Sequence, residues 1–326
     1  MAPAVTARFE HRPVLVDVVV ELLGPVPPGI VVDATVGGGG HAAALLGAHD
    51  HLDLVGLDHD DEALAAAAEA LLPFGDRVTF RRARFDQIAD VVKELGHVAH
   101  DDFSVSAVLF DLGVSSPQLD RADRGFSYRH DGPLDMRMDR SRRRSASDIV
   151  NTYAEADLAG VLRRYGDERY AARIARAIVN ARPVETTGEL ADLVRDAIPA
   201  PARRRGGHPA KRTFQAIRIE VNDELAILAP SVDAAVELLV PGGRVAVLAY
   251  HSGEDRIVKQ RLRHAATGGC TCAPQLPCGC GARSGASVRL VRPGAWKASA
   301  AEVAANPRAG SARLRVAEKL APGRTA

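Results

Sequence analysis

A run of four glycines between an apolar segment and a helical segment constrains the fold more than any other feature of the chain. The segment Ile30–Ala34 is rich in β-branched residues and follows a Pro-Pro-Gly turn, which predicts a short buried strand. Gly37–Gly40 comes next, and His41–Leu46 has the composition of a helix start. Glycines let a backbone turn tightly and approach a ligand, and a helix N-terminus offers unpaired N–H groups. We therefore expect a strand–turn–helix unit that binds a ligand at its turn.

Further apolar segments of strand length alternate with helical segments along the chain. The predicted strands after the first are Leu54–Leu57, Val78–Phe80, Val105–Phe110 and Val245–Tyr250. Asp61–Leu72 is Ala-rich and predicts a helix between two of them. This alternation predicts an α/β fold with a parallel, doubly wound sheet.

A long section between the fourth and fifth predicted strands contains only helical patterns. The helical segments in this section are Ser147–Asn151, Ala154–Tyr165, Arg169–Ala181 and Thr187–Ala197. We therefore expect a discontinuous α/β core formed by residues 1–117 and 210–326. Residues 118–209 are expected to form an inserted all-helical domain that recognises the substrate.

The second predicted strand ends at Asp58, about 20 residues past the glycine turn. An acid at this position typically accepts hydrogen bonds from the ribose hydroxyls of an adenosine cofactor. NAD and S-adenosylmethionine share that ribose, so Asp58 and Gly37 indicate an adenosine cofactor without choosing between the two. The alternative is that Asp58 and Asp60 only cap the following helix.

The fourth predicted strand ends at Asp111, within Asp111-Leu-Gly-Val-Ser115-Ser-Pro117. Ligands bind at this edge of such sheets. The exocyclic amine of cytosine is a poor nucleophile, because its lone pair is conjugated with the ring. A side-chain oxygen and a backbone carbonyl that accept its two N–H bonds would align the nitrogen for methyl transfer. We therefore expect Asp111, Ser115 and Pro117 to be catalytic; an ordinary polar turn is the alternative.

All four cysteines lie in one short segment, as Cys270-Thr-Cys272 and Cys278-Gly-Cys280. Four thiolates this close together would complete a tetrahedral zinc site. The Cys-x-Cys spacing is tighter than a usual zinc knuckle, and a loop with free thiols is the alternative. Neither interpretation makes these cysteines catalytic.

The charges are distributed unevenly along a chain whose net charge is +1. Residues 1–117 contain 18 acidic and seven basic side chains, whereas residues 256–326 contain two acidic and 13 basic ones. A localised basic region suits a polyanionic partner, although charge runs are usually solvated surface. No apolar run is long enough to span a bilayer, and no signal peptide is recognised, so we expect a cytoplasmic protein without membrane contact.

Several long strings identify a family resemblance that extends through most of the chain. The strings are His11–Leu15, Asp33–His41, Leu109–Leu119, Arg124–Tyr128, Asp131–Asp139, Tyr165–Arg169, Ile174–Ile178, Thr213–Ile219, Val221-Asn222, His251-Ser252, Glu254–Lys259, Asn306–Arg308 and Leu314-Arg315. With these strings the sequence resembles the bacterial 16S ribosomal RNA cytosine-N4 methyltransferases. The resemblance implies a class I, Rossmann-like methyltransferase core, with S-adenosylmethionine as the cofactor. It also implies a substrate cytosine in the decoding centre of 16S rRNA in the small ribosomal subunit, and it suggests a homodimer.

The resemblance also implies a role for individual residues. Gly39, Gly40 and His41 would line the methionine end of the cofactor, and Asp58 would hold its ribose. Phe85 would pack on the adenine side, and Asp111 with Gln118 would complete the pocket. Arg124, Phe126, Tyr128 and Arg129 form an aromatic and basic cluster suited to an unpaired base, or else a salt-bridged lid.

Three other functions use the same sequence features. A NAD-dependent oxidoreductase would use the glycine turn and Asp58, but we find no Tyr-x-x-x-Lys pair for hydride transfer. A non-catalytic RNA-binding assembly factor would keep the fold without consuming cofactor. A DNA amine methyltransferase would use identical chemistry, but the helical insert and the string matches disfavour it.

Overall fold

The computed structural model of the protein describes residues 13–98, 103–203, 208–272 and 279–322. The strands are β1 Gly29–Asp33, β2 Leu52–Asp58, β3 Val78–Arg82, β4 Val105–Asp111, β5 Leu239–Ala249, β6 Val288–Leu290 and β7 Arg313–Lys319. The helices are α1 Val16–Leu23, α2 Gly40–Ala48, α3 Asp61–Leu71, α4 Ile88–Val98, α5 Ser116–Asp120, α6 Ala146–Thr152, α7 Glu155–Gly166, α8 Ala171–Ala181, α9 Thr187–Ala197, α10 Ala200–Arg203, α11 Lys211–Asn222, α12 Glu224–Leu238, α13 Ser252–Thr267 and α14 Ala300–Ala305. Among the described residues, no helix is long and apolar enough to cross a bilayer.

The chain divides into two compact units. One unit comprises Met1–Gly113 and Leu228–Ala326, and the other comprises Val114–Ile227. The first unit contains the sheet, and the second is helical. The helical section of the sequence therefore corresponds to a separate compact unit.

The sheet of the first unit has the strand order β3-β2-β1-β4-β5-β7-β6. The first five strands pair in parallel, whereas β7 pairs antiparallel with both β5 and β6. All five predicted strands are confirmed and the α/β fold is correct, with boundaries that shift by a few residues. Strands β6 and β7 were not predicted from the sequence, because they lack a long apolar run.

Parallel pairing brings the carboxyl ends of three strands to one edge of the sheet. Strands β1, β2 and β4 end at Asp33, Asp58 and Asp111. In the register of the sheet, Asp33 pairs with Gly56 of β2 and with Leu109 of β4. Asp58 and Asp111 therefore each extend two residues beyond the end of β1. The strand interiors are fully buried, and their packing fixes this register.

The second unit has its own hydrophobic core, and α11 belongs to it. Phe214 and Ile217 of α11 are buried with Leu162 of α7 and Ile174 of α8. The helical unit therefore ends at Ile227 rather than near residue 209, and it begins at Val114. Our expected boundary differs because α11 has the same amphipathic pattern as a core helix of either unit. The role of this unit in substrate recognition stays a prediction.

Asn222, at the end of α11, joins that helix to an irregular segment of the same unit. Its Oδ1 accepts a hydrogen bond from the Met138 backbone N–H at 2.9 Å. Its Nδ2 donates to the carbonyl oxygens of Met136 at 2.8 Å and Arg218 at 2.9 Å. The side chain is buried. One amide thus satisfies three backbone groups that have little access to water.

We predict that Asn222→Ala lowers the free energy of unfolding by roughly 2–4 kcal/mol, because it leaves buried donors and acceptors unpaired. Asn180→Ala is the matched control, since Asn180 is an exposed helical asparagine. Urea unfolding of the whole chain measures both. Equal stability of the two variants would show that the Asn222 amide is replaceable by water.

Candidate cofactor and active site

The glycine turn and the end of β2 are joined by a hydrogen bond at the carboxyl edge of the sheet. The Gly37 backbone N–H donates to Asp58 Oδ2 at 3.1 Å, and the Asp60 N–H donates to Asp58 Oδ1 at 2.9 Å. Asp60, not Asp58, caps α3, because its carboxylate accepts from the Glu62 N–H at 3.1 Å. Each Asp58 oxygen keeps a lone pair for a further donor. This arrangement leaves Asp58 able to bind the hydroxyls of a ribose.

Two glycines of the turn adopt backbone conformations that side chains disfavour. Gly37 has φ +52° and Gly39 has φ +81°. A Cβ at Gly39 would also lie 3.3 Å from the Ala67 Cα, and one at Gly40 would lie 2.5 Å from Pro13. At Gly38, by contrast, an added Cβ would meet nothing within 4 Å. The turn is therefore packed tightly on the protein side and open on the other, as a ligand cradle requires.

Asp33, at the end of β1, is a buried carboxyl group. Burial raises its pKa to about 7, and the nearby charges of Asp111 and Asp58 act in the same direction. A hydrogen bond from the Thr35 N–H to its Oδ1, 3.1 Å long, opposes this shift in part. Burial also raises the pKa of Asp58. The edge of the sheet thus concentrates carboxyl groups whose ionisation is unfavourable without a compensating positive charge.

Asp111, at the end of β4, has three close neighbours. Its Oδ1 accepts a 2.6 Å hydrogen bond from the Tyr250 hydroxyl, and its Oδ2 lies 3.5 Å from His41 Nδ1. Its backbone N–H donates to Thr35 Oγ1 at 2.6 Å. Burial and the Asp111 charge raise the pKa of Tyr250, so this hydroxyl keeps its proton and donates. The carboxylate is therefore fixed in orientation but still partly exposed.

The imidazole of His41, at the start of α2, lies beside Asp111. His41 is buried, and its Nε2 lies 2.9 Å from the carbonyl oxygen of Val14. A carbonyl only accepts, so Nε2 carries the hydrogen of this bond and Nδ1 faces Asp111. The structure thus brings together His41 and Asp111, which the sequence analysis placed in one pocket, and adds Tyr250. Tyr250 was missed as a site residue, although its position directly after an apolar strand was a usable signal.

The residues at this edge fit S-adenosylmethionine. That cofactor combines a ribose with two cationic groups, a sulfonium and an ammonium. Asp58 offers acceptors for the ribose, and the carboxyl groups of Asp33 and Asp111 offer negative charge. The half-buried Phe85 follows β3 and packs edge-to-face on Phe110, with ring centroids 5.9 Å apart. Its position beyond the neighbouring strand is compatible with the adenine side.

Ser115 and Gln118 contact each other in the helical unit. The Ser115 N–H donates to Gln118 Oε1 at 3.1 Å, and the Gln118 N–H donates to Ser115 Oγ at 3.4 Å. These bonds cap α5, which includes Pro117. The catalytic roles of Ser115 and Pro117 and the cofactor role of Gln118 stay predictions.

His251, two residues after the end of β5, caps α13. Its Nδ1 accepts from the N–H groups of Gly253 at 3.2 Å and Glu254 at 3.4 Å. Its Nε2 lies 3.1 Å from Glu254 Oε1 but is not aligned for a hydrogen bond. The buried Glu254 accepts in turn from the Tyr250 N–H at 2.7 Å. His251 and Glu254 therefore fix the backbone of Tyr250.

The basic and aromatic cluster of the helical unit is partly structural. Arg124 is buried, and its guanidinium donates to the Met138 carbonyl oxygen at 3.1 Å. Arg137 pairs with Asp135 at 2.6 Å. Tyr128, in contrast, stacks on His208, with centroids 4.3 Å apart and Arg129 beside the ring. Within this cluster, Tyr128 with its neighbours Arg129 and His208 has the composition expected of a base-stacking surface.

Three of the four predicted metal ligands lie together. Cys270, Cys272 and Cys280 have Sγ atoms within 4.8 Å of one another. Cys278 lies outside the described residues.

Comparison with known proteins agrees with the geometry of the site. The chain matches the MraW methylase family over residues 8–320. "Ribosomal RNA small subunit methyltransferase H" of Symbiobacterium thermophilum is 52% identical over 323 residues, which cover 98% of this chain and 99% of the relative. The proteins of the same name from Acidothermus cellulolyticus and Thermobifida fusca are each 53% identical. They cover 97% and 95% of this chain, and 95% and 93% of their own lengths.

The match extends over both units and includes every residue of the candidate site. A methylase family favours S-adenosylmethionine over a nicotinamide dinucleotide as the ligand of Asp58 and the glycine turn. The chain therefore belongs to the MraW methylase family and is an S-adenosylmethionine-dependent methyltransferase.

Proposed function

We propose that this protein methylates the exocyclic N4 amine of a cytosine in 16S rRNA of the small ribosomal subunit. The observation that supports this reaction most directly is the Asp111 carboxylate, which accepts a hydrogen bond from Tyr250 and lies 3.5 Å from His41 at the glycine turn. The relatives' name supports ribosomal RNA of the small subunit as the substrate class. The choice of a cytosine amine follows from the Asp111 loop and the family resemblance.

The residues of the sheet edge would hold the cofactor through complementary charge and hydrogen bonds. Asp58 would accept from the ribose hydroxyls, and the open backbone at Gly38 would border the methionine end. Asp33 and Asp111 would face its positive groups. When bound, S-adenosylmethionine supplies an electrophilic methyl group on a sulfonium.

Asp111 would orient the amine of the target base. A carboxylate oxygen accepts one N–H bond, and a backbone carbonyl between Gly113 and Pro117 accepts the other. The hydrogen bond from the Tyr250 hydroxyl would prevent the carboxylate from rotating, so the amine nitrogen keeps one direction. The proton released from the nitrogen would go to Asp111 or to water. The target base must enter unstacked, from a single-stranded segment or by flipping.

The surroundings of the reaction follow from the same proposal. A ribosomal RNA substrate places the protein in the cytoplasm. The stacked Tyr128 and His208 of the helical unit offer a surface for an unpaired base. The proposal also includes a homodimer and a target base in the decoding centre. It includes contacts to 16S rRNA, either free or assembled in the subunit.

Methyl-labelled S-adenosylmethionine and 30S subunits from a strain without the endogenous activity test the reaction. After digestion of the RNA, we expect the label in N4-methylcytidine. Labelled DNA in a parallel reaction would favour a DNA amine methyltransferase. Cofactor binding without any label would favour a non-catalytic assembly factor, and stabilisation by NAD alone in thermal scanning would favour an oxidoreductase.

We predict that Asp111→Asn lowers the rate of methyl transfer by roughly 100-fold or more, because one acceptor for the amine is lost. Tyr250→Phe is expected to lower the rate by about 10-fold, because Asp111 loses a 2.6 Å hydrogen bond that orients it. Single-turnover rates at saturating cofactor measure both effects. Tyr170→Phe, in the helical unit, is the matched control. Full turnover by Asp111→Asn would reduce Asp111 to a cofactor or structural contact.

We predict a pH-dependent gain in stability for Asp33→Asn. The pKa of Asp33 is raised from 3.8 to about 7 in the folded protein, so ionisation costs stability progressively as pH rises from the unfolded value to the folded one. The variant removes this cost, at about 1.4 kcal/mol per unit of pKa difference, and its Oδ1 still accepts from Thr35. Its advantage in unfolding free energy should therefore be larger at about pH 8 than at about pH 5.

Asp76→Asn, which changes an exposed aspartate, is the control and should show no such difference. The same pH dependence in both variants would contradict a raised pKa of the buried Asp33. Urea unfolding without cofactor provides the measurement, so the result does not depend on the proposed RNA substrate.

A further inference from the structure

We propose that Cys270, Cys272 and Cys280 bind one zinc ion that fastens the segment after α13 to the segment before β6. This inference concerns a structural metal site and does not rest on the proposed RNA substrate. The site lies outside the cofactor residues, and no step of methyl transfer involves it.

The sulfur positions are those of a metal site. The three Sγ atoms lie within 4.8 Å of one another, and those of Cys270 and Cys280 are 3.5 Å apart. Thiolates at about 2.3 Å from a tetrahedral zinc ion are separated by about 3.8 Å. A disulfide needs about 2.0 Å between the sulfurs, so this pair is not bonded. The 3.5 Å separation is therefore close to the zinc value and exceeds the disulfide value, and the other two separations are at most 4.8 Å.

The backbone brings the cysteines together by contacts that do not involve sulfur. Helix α13 ends at Thr267, and the following Gly268, with φ +59°, turns the chain back. A Cβ at Gly268 would lie 1.9 Å from the Ala282 carbonyl oxygen, so the two segments are in direct contact there. The Ser287 N–H donates to the Ala265 carbonyl oxygen at 2.9 Å, which holds the returning chain against the helix. The cysteines thus lie on a preformed turn.

The chemistry of the three side chains determines which metal would bind. Cysteine thiolates select zinc over hard cations such as magnesium and calcium. Cys278 lies outside the described residues, so the proposed ligand set contains only the other three cysteines.

A metal at this position would stabilise an edge of the sheet. Strand β6 contains three residues and, among the described residues, pairs only with β7. Such a short strand gains little from its own hydrogen bonds. Directly before β6, the Ser287 carbonyl oxygen accepts a hydrogen bond from the Leu320 N–H at 2.9 Å. Zinc would connect the chain before β6 to the end of α13, and so hold this edge in place.

Metal analysis of the full chain tests the site. The protein is purified without chelators and without a metal-affinity column, and zinc is counted by mass spectrometry. We expect about one zinc ion per chain. The triple variant Cys270→Ser, Cys272→Ser and Cys280→Ser should lose it. Thr271→Ala is the matched control, because Thr271 is exposed between two of the cysteines and should leave zinc binding unchanged.

A second measurement does not require the variant to fold. The reduced, metal-free wild-type chain is titrated with Co²⁺ and Zn²⁺, and its cysteines are then alkylated. We expect the chain to take up one equivalent of Co²⁺ with thiolate-to-cobalt absorption. Bound zinc should protect Cys270, Cys272 and Cys280 from the alkylating reagent. Failure to take up metal, or unprotected cysteines, would overturn the proposal. Zinc retained in the triple variant, or a Cys270–Cys280 disulfide without metal uptake after reduction, would also overturn it.

Discussion

The parallel pairing of β1 with both β2 and β4 determines where the polar groups at the edge of the sheet lie. Each of these strands ends in an aspartate, and the register places Asp58 and Asp111 two residues farther out than Asp33. A shift of one residue in either pairing would turn the buried side chains of a strand towards the opposite face of the sheet. The position of the carboxyl groups is thus a consequence of core packing.

Carboxyl groups that lie together at one edge of the sheet are harder to ionise, and different neighbours offset this effect at each residue. Asp58 is supplied with two backbone N–H donors, and Asp111 with the hydroxyl of Tyr250. Asp33 receives one such donor, and burial leaves it partly protonated near neutral pH. A cationic ligand would relieve this repulsion, because opposite charges favour the ionised carboxylates. Without ligand, the ionised forms of these carboxyl groups are therefore destabilised at the place where a sulfonium compound fits.

Local patterns predicted most of the fold, and long-range pairings account for what they missed. The five parallel strands are detectable because each contains an apolar segment, and Asp58 and Asp111 because each stands at the end of one of them. Phe85 came only from resemblance to a family, since a lone aromatic after a strand has no distinctive signal. The contacts of Asp111 with Tyr250 and His41 join residues far apart in sequence, and no local sequence pattern predicts them. The same applies to α11, whose place in the helical unit depends on α7 and α8.

Strand β7 pairs with β5 on one side and β6 on the other, although it follows both in the chain. During synthesis, β5 therefore emerges long before the neighbour that covers its open side. The contiguous helical unit Val114–Ile227 is complete well before that moment. Domains generally fold as units while the chain is synthesised. The helical unit has all its residues available to fold early on the ribosome, whereas the sheet around the methyltransferase site is completed only when residues 313–319 have left the exit tunnel.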